Sequence, residues 1–113
     1  MLARWDGSAW TELATPDNGI GPEHGNSVHT FTALREYGGK LVAVGYVWPT
    51  DGERNVFMWD GDRFESIGGG AAAIMVDTVA LAKDGLWFGG SIAEVGPADA
   101  RVPSVGVARF TWE

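Results

Sequence analysis

The sequence predicts an all-β protein built from short antiparallel strands, and three observations carry that expectation. The chain spells Trp5-Asp6-Gly7 and, 54 residues later, Trp59-Asp60-Gly61, each time with an aromatic three residues past the glycine, Trp10 and Phe64. A second matched pair lies between and after these. Thr32-Ala33-Leu34 is followed by Gly38-Gly39 and Lys40–Gly45, and Val79-Ala80-Leu81 by Asp84-Gly85 and Leu86–Gly90, with two extra residues in the first turn. Finally, 17 of 113 residues are glycine, set among six Trp and five Phe with no collagen period, which suits short strands joined by tight turns. Val107-Ala108-Arg109-Phe110 also resembles Leu2-Ala3-Arg4-Trp5, with Phe110 in the Trp slot 51 residues after Trp59. A self-similar period near 50 points to a propeller or solenoid unit. Each repeat reads as four short antiparallel strands, about two repeats per chain, with both architectures open on the period alone.

The elements follow in order, with the four strands of a unit termed a to d. The chain opens on a c strand, Met1–Trp5, and a d strand, Ala9–Leu13. One full unit follows: a over Val28–Leu34, b over Lys40–Tyr46, c over Asn55–Trp59 and d over Arg63–Ile67. The last unit supplies a, b and c only. The chain thus divides into strands c and d of one blade (1–13), a full blade (28–67) and a blade lacking its last strand (75–112), forming one partial unit over 1–113. Asp60-Gly61 between c and d, and Asp84-Gly85 between a and b, are strong two-residue hairpin signals, because a type I′ turn needs positive φ at both central positions. Gly38-Gly39 does the same for the first a–b pair. The best helix candidate, Ala71–Ala82, contains Val76, Thr78 and Val79 and lies where the repeat requires strand a. In this reading the repeated phrase is a strand end plus a hairpin, its aromatics packing between neighbouring sheets. The competing reading is a sugar stacked on Trp.

These residues resemble a propeller-blade family. The double glycine Gly89-Gly90 closing strand b, followed by a Trp-bearing strand c, resembles kelch and galactose-oxidase-like repeats. The W-D-G-x-x-W form resembles bacterial propeller repeats of the same general type. The resemblance covers nearly the whole chain and implies a fold, an all-β run of four-stranded antiparallel β-propeller blades, about two per chain, and not a chemistry. WD-repeats fit less well, since His24-Gly25 reverses their Gly-His pair. The sialidase-type Asp-box also fits less well, because Arg4 and Met58 stand where its Ser belongs.

The strands sum to a little over two blades, whereas propellers close with about four to eight. Bare sheet faces and edges would invite aggregation. Two resolutions are open: copies self-associate into a closed ring, or the chain is a piece of a longer propeller. Self-association is preferred, with the d strand Ala9–Leu13 completing a neighbour's last blade and the c strand Met1–Trp5 left surplus.

The net charge of −7 argues against nucleic acid, which requires a basic stripe. Without cysteine there is neither a disulfide framework nor a Cys-ligated metal site. No apolar h-region opens the chain and no run of about 18 apolar residues occurs, so neither a leader nor a membrane span is expected in these residues. The compartment stays open.

Tight turns (a–b, c–d) and longer loops (d–a, b–c) alternate along the chain. In an up-and-down blade this places all the long loops, Ala14–Ser27, Trp48–Arg54, Gly68–Ile74 and Glu94–Pro103, on one face. Function concentrates on such loops. The candidate binding residues there are Asp17, His24, Trp48, Asp51, Glu53, Arg54, Glu94, Asp99 and Arg101. This acidic rim suits a carbohydrate, a cation or a basic partner better than a phosphate. His24 and His29 lack zinc-ligand spacing. Asp60-Gly61-Asp62 does not follow the calcium-loop pattern. Gly68-Gly69-Gly70 lacks the Lys-Ser/Thr of a phosphate cradle. No metal or cofactor is expected. Ser66, Ser91 and Ser104 sit in no G-x-S-x-G frame. Asp77, on the innermost strand of a blade, is the channel-facing candidate, because a glycosidase carboxylate pair is set by distance and not by spacing. The function expected is a non-enzymatic binding or scaffold module that binds carbohydrate or protein. The alternative is a fragment of a carbohydrate-active propeller enzyme with catalytic residues partly outside this chain.

Overall fold

A computed structural model describes residues 2–13, 15, 18–20, 30–47, 54–97 and 99–111. The described residues are all-β and contain no α-helix. Among the described residues ten strands run in chain order: β1 (Ala3–Trp5), β2 (Trp10–Glu12), β3 (Thr30–Tyr37), β4 (Lys40–Tyr46), β5 (Val56–Trp59), β6 (Phe64–Ser66), β7 (Ala71–Ala82), β8 (Gly85–Val95), β9 (Val102–Pro103) and β10 (Val107–Phe110). They form three antiparallel sheets: the hairpin β1–β2, the meander β3-β4-β5-β6, and β7-β8-β10 with β9 paired to the far end of β8.

The three sheets repeat one hydrogen-bond plan. In the hairpin, Ala3, Arg4 and Trp5 pair with Glu12, Thr11 and Trp10; in the meander, Phe57, Met58 and Trp59 pair with Ser66, Glu65 and Phe64. Each ladder closes with the same bond, Leu13 N to Leu2 O at 2.9 Å and Ile67 N to Val56 O at 3.0 Å. The middle and third sheets match equally well. Leu41, Val42, Ala43 and Val44 oppose Trp59, Met58, Phe57 and Val56, as Leu86, Trp87, Phe88 and Gly89 oppose Phe110, Arg109, Ala108 and Val107. Even the irregularity recurs: the β3–β4 register slips between Phe31 and Ala33, and the β7–β8 register slips between Val76 and Thr78. Such a bulge brings backbones close, and glycine accommodates the approach. A Cβ on Gly45 would lie 1.9 Å from Thr30 O, and one on the matching Gly90 2.4 Å from Met75 O.

This register corrects the sequence alignment. Leu34 opposes Ala43 and Val79 opposes Phe88, so Leu34 corresponds to Val79 and not to Leu81, and the first turn has no extra residues. A shift of two preserves the inward and outward faces of a strand, so alternation alone does not reveal it. The turns are corrected too. Ala82 pairs with Gly85, leaving Lys83-Asp84 as the two turn residues. Gly38 and Gly39 take φ of +57° and +79°, as a type I′ turn requires. The Trp-Asp-Gly hairpins carry four-residue loops, 6–9 and 60–63, between their strands. Ala71–Ala82 is strand throughout, so the third sheet begins at Ala71 instead of residue 75, and the loop expected over Gly68–Ile74 ends at Gly70. The connector expected over Glu94–Pro103 is likewise part strand, because β8 continues to Val95 and pairs with β9.

Two apolar layers hold the stack. Val42, Val44 and Val56 of the middle sheet meet Val79, Leu86 and Phe88 of the third. On the opposite face of the middle sheet, Ala43, Phe57 and Phe64 meet Leu13, Ile20 and the partly buried Leu2. β7 lies across both β3 and β4, and Thr32 Oγ1 donates to Val76 O, tying the first strands of the two large sheets together.

Candidate binding face

The repeated Trp-Asp-Gly phrase resolves into a capped loop. Asp60 Oδ1 accepts the backbone N–H of Asp62 at 2.8 Å and of Arg63 at 2.9 Å. Asp6 Oδ1 accepts those of Ser8 and Ala9 at the same two distances, 2.8 and 2.9 Å. These donors favour the ionised form and hold both carboxyls below the usual aspartate range. The aromatics flanking each loop are a cross-strand pair, with ring centroids 4.8 Å apart for Trp59 and Phe64 and 5.4 Å for Trp5 and Trp10. The loop chemistry is thus spent on the backbone.

The opposite ends of the strands carry the longer connections. Ala71 N donates to Arg54 O at 3.0 Å, and Gly96 N to Gly70 O at 3.1 Å. Glu94 opposes both Ala72 and Pro103, and Val95 opposes Val102. These bonds bring Arg54, Glu94 and the Gly96–Arg101 connector, with Asp99 and Arg101, to one end of the stacked sheets. Arg54, Glu94 and Arg101 are half-buried and Asp99 is exposed. Asp17, His24, Trp48, Asp51 and Glu53 lie outside the described residues. Asp77 does not join this group. It sits exposed at the β7 bulge, six residues beyond Ala71 and at the position that Thr32 holds in β3.

Beside the connector end, an apolar cleft of about 280 Å³ opens between the sheets, lined by Val56, Ile67, Phe88, Val95, Pro97 and Phe110 among others. Gly68 and Gly70 also line it, and space is tight here: a Cβ on Gly68 would stand 2.7 Å from the Phe110 ring, and one on the intervening Gly69 2.3 Å from Pro97 N.

Sequence reasoning missed Asn55, the residue that organises this end. It is the one fully buried polar side chain among the described residues and takes φ of +79°. Its Oδ1 accepts Val47 N at 3.0 Å, and its Nδ2 donates to Ala73 O at 3.0 Å and Ala71 O at 3.3 Å. A signal existed, since Asn is the non-glycine residue that most readily takes a left-handed conformation. Also missed was a cluster on the outer face of the third sheet. Asp84 accepts Trp87 Nε1 at 3.0 Å and pairs with Arg109 at 3.2 Å, and the Arg109 guanidinium lies 5.6 Å from the Trp87 ring centre. The indole donor first, and Arg109 second, hold the Asp84 carboxyl below its ordinary range.

No known protein family matches the chain, and neither curated proteins nor solved structures yield a match.

Proposed function

We propose that the chain is a run of β-propeller blades of kelch-like type that self-associates to complete the propeller and acts as a non-enzymatic binding module. The observation that carries this reading is the residue-by-residue register match between β3-β4-β5 and β7-β8-β10, with the first strand β7 packed across β3 and β4. Blades radiating from an axis bring their first strands together in this manner, and their outer strands splay, as the cleft between the Val56 and Phe110 regions suggests. The long-connector end carries Arg54, Glu94, Asp99 and Arg101, and mixed charges on loops above a rigid sheet suit a carbohydrate or a protein surface.

A printed glycan array probed with the labelled chain tests the function. Glycan binding that is lost in the Glu94→Ala, Asp99→Ala, Arg101→Ala triple variant, with folding retained, is the expected result. Glycan binding unchanged in that variant overturns the placement of the site. The competing reading, a piece of a sugar-cleaving propeller, assigns the chemistry to Asp77. Release of reducing sugar from a bound glycan, abolished by Asp77→Asn, would favour it.

A further inference from the structure

We infer that the chain associates head to tail with a second copy, the outer face of its third sheet receiving the tryptophan face of the other copy's β1–β2 hairpin. The inference rests on the self-association reading above and assigns its two surfaces.

The argument comes from the chain's own internal contacts. Each sheet has a leading and a trailing face. On the middle sheet the leading face carries Val42, Val44 and Val56, buried against the third sheet, and the trailing face carries Phe57 and Phe64, buried against the hairpin side. The hairpin meets the middle sheet through Leu2 and Leu13, which match Val56 and Ile67 in the repeated ladder. One kind of contact, leading face onto trailing face, is therefore made twice within the chain.

The same two faces are left open at the ends. In the third sheet, Trp87, Arg109 and Val107 hold the positions of Val42, Met58 and Val56. Val42 and Val56 are buried, whereas Trp87 is 36% and Val107 50% exposed. In the hairpin, Trp5 and Trp10 hold the positions of Trp59 and Phe64. Phe64 is 2% exposed, whereas Trp5 and Trp10 are 52% and 70% exposed. Large aromatics on an open sheet face mark an interaction surface, and tryptophan is the residue most enriched at interface anchors. The occupant that fits each open face is the opposite face of this same chain, because the chain already makes that contact internally. A contact between unlike faces is heterologous, so it propagates until it closes into a ring.

The test uses two variants, Trp10→Asp on the hairpin and Trp87→Asp on the third sheet, each sized by light scattering and checked for folding by circular dichroism. Val107→Asp replaces Trp87→Asp if the loss of the Asp84 contact unfolds the sheet. The expected result is an oligomer for the unaltered chain, a folded monomer for each variant alone, and a 1:1 dimer on mixing, since each variant keeps the face that the other lacks. Persistence of the oligomer in both variants overturns the surfaces while leaving self-association standing. Association of one variant alone overturns the head-to-tail arrangement in favour of a symmetric contact of the face it keeps, and monomeric variants that do not pair on mixing overturn the direct meeting of these two faces. A folded monomer for the unaltered chain overturns both the inference and the self-association it rests on.

Discussion

The Nδ2 atom of Asn55 stands 3.0 Å from the carbonyl oxygen of Ala73, so the connector leading into β5 of the middle sheet is bonded to the first strand of the third. The bond is buried and is one of three that this side chain makes to the described residues. Asn55 thereby sets the spacing of the two sheets at the end where the longer connectors gather.

Replacing Asn55 with Ala leaves Val47 N and Ala73 O without these partners and places at φ +79° a residue that takes this conformation less readily than asparagine. Orphaning buried polar groups costs about 1–3 kcal/mol, and alanine's poorer tolerance of the left-handed conformation adds to it. The expected loss is about 3 kcal/mol, read as a lowered denaturant midpoint. Asn55→Gly keeps the backbone conformation and loses only the bonds, so it should fall between Ala and the unaltered chain.

Gly45 and Gly90 occupy the same place in successive repeats, each facing a backbone carbonyl across the bulge. A methyl group at either position forces the paired strands apart. Gly45→Ala, with its Cβ 1.9 Å from Thr30 O, should destabilise by about 3 kcal/mol, and Gly90→Ala by a comparable amount. Chemical denaturation checks both. Gly7→Ala, in open space but at φ +104°, meets backbone strain without a clash and so separates the two costs.

The loop caps predict a pH dependence. The carboxyls of Asp6 and Asp60 are held below the ordinary aspartate value, mainly by backbone donors: Ala9 then Ser8 for Asp6, Arg63 then Asp62 for Asp60. A group with a depressed folded-state pKa contributes stability that is present above its unfolded value, about 3.9, and is lost as pH falls through the folded value. Carboxyl titration by NMR should place both midpoints below that of a free aspartate. Asp60→Asn should retain part of the cap and Asp60→Ala should lose it, so the hairpin amides of Asp62 and Arg63 exchange faster in the latter.

Much of the architecture was legible because it is written in short-range chemistry. Trp59-Asp60-Gly61 and its partner at Trp5 mark hairpins through an Asp cap and an aromatic cross-strand pair, both decided within six residues. The register was less legible, since moving Leu34 from Val79 to Leu81 keeps every side chain on its face. The extension of β7 back to Ala71 was hidden by low intrinsic strand propensity, as alanine after three glycines signals a loop unless a partner strand is known. That partner is the far end of β8, in a segment that also reads as a loop. Of the candidate site, Arg54, Glu94, Asp99 and Arg101 do share one end of the sheets, a consequence of alternating strand direction that the turn pattern already implied. Asn55 went unnoticed because its role depends on where Ala71 and Ala73 arrive, 16 and 18 residues along the chain.

The central claim is that this repeat completes itself with further copies, and absolute mass in solution, by light scattering behind a sizing column, tests it most directly. A discrete multiple of the 12.0 kDa chain is the predicted result, and its stoichiometry gives the number of repeats in the closed assembly. A folded species at the mass of one chain would contradict the account, since the faces bearing Trp10 and Trp87 would then stay open to water.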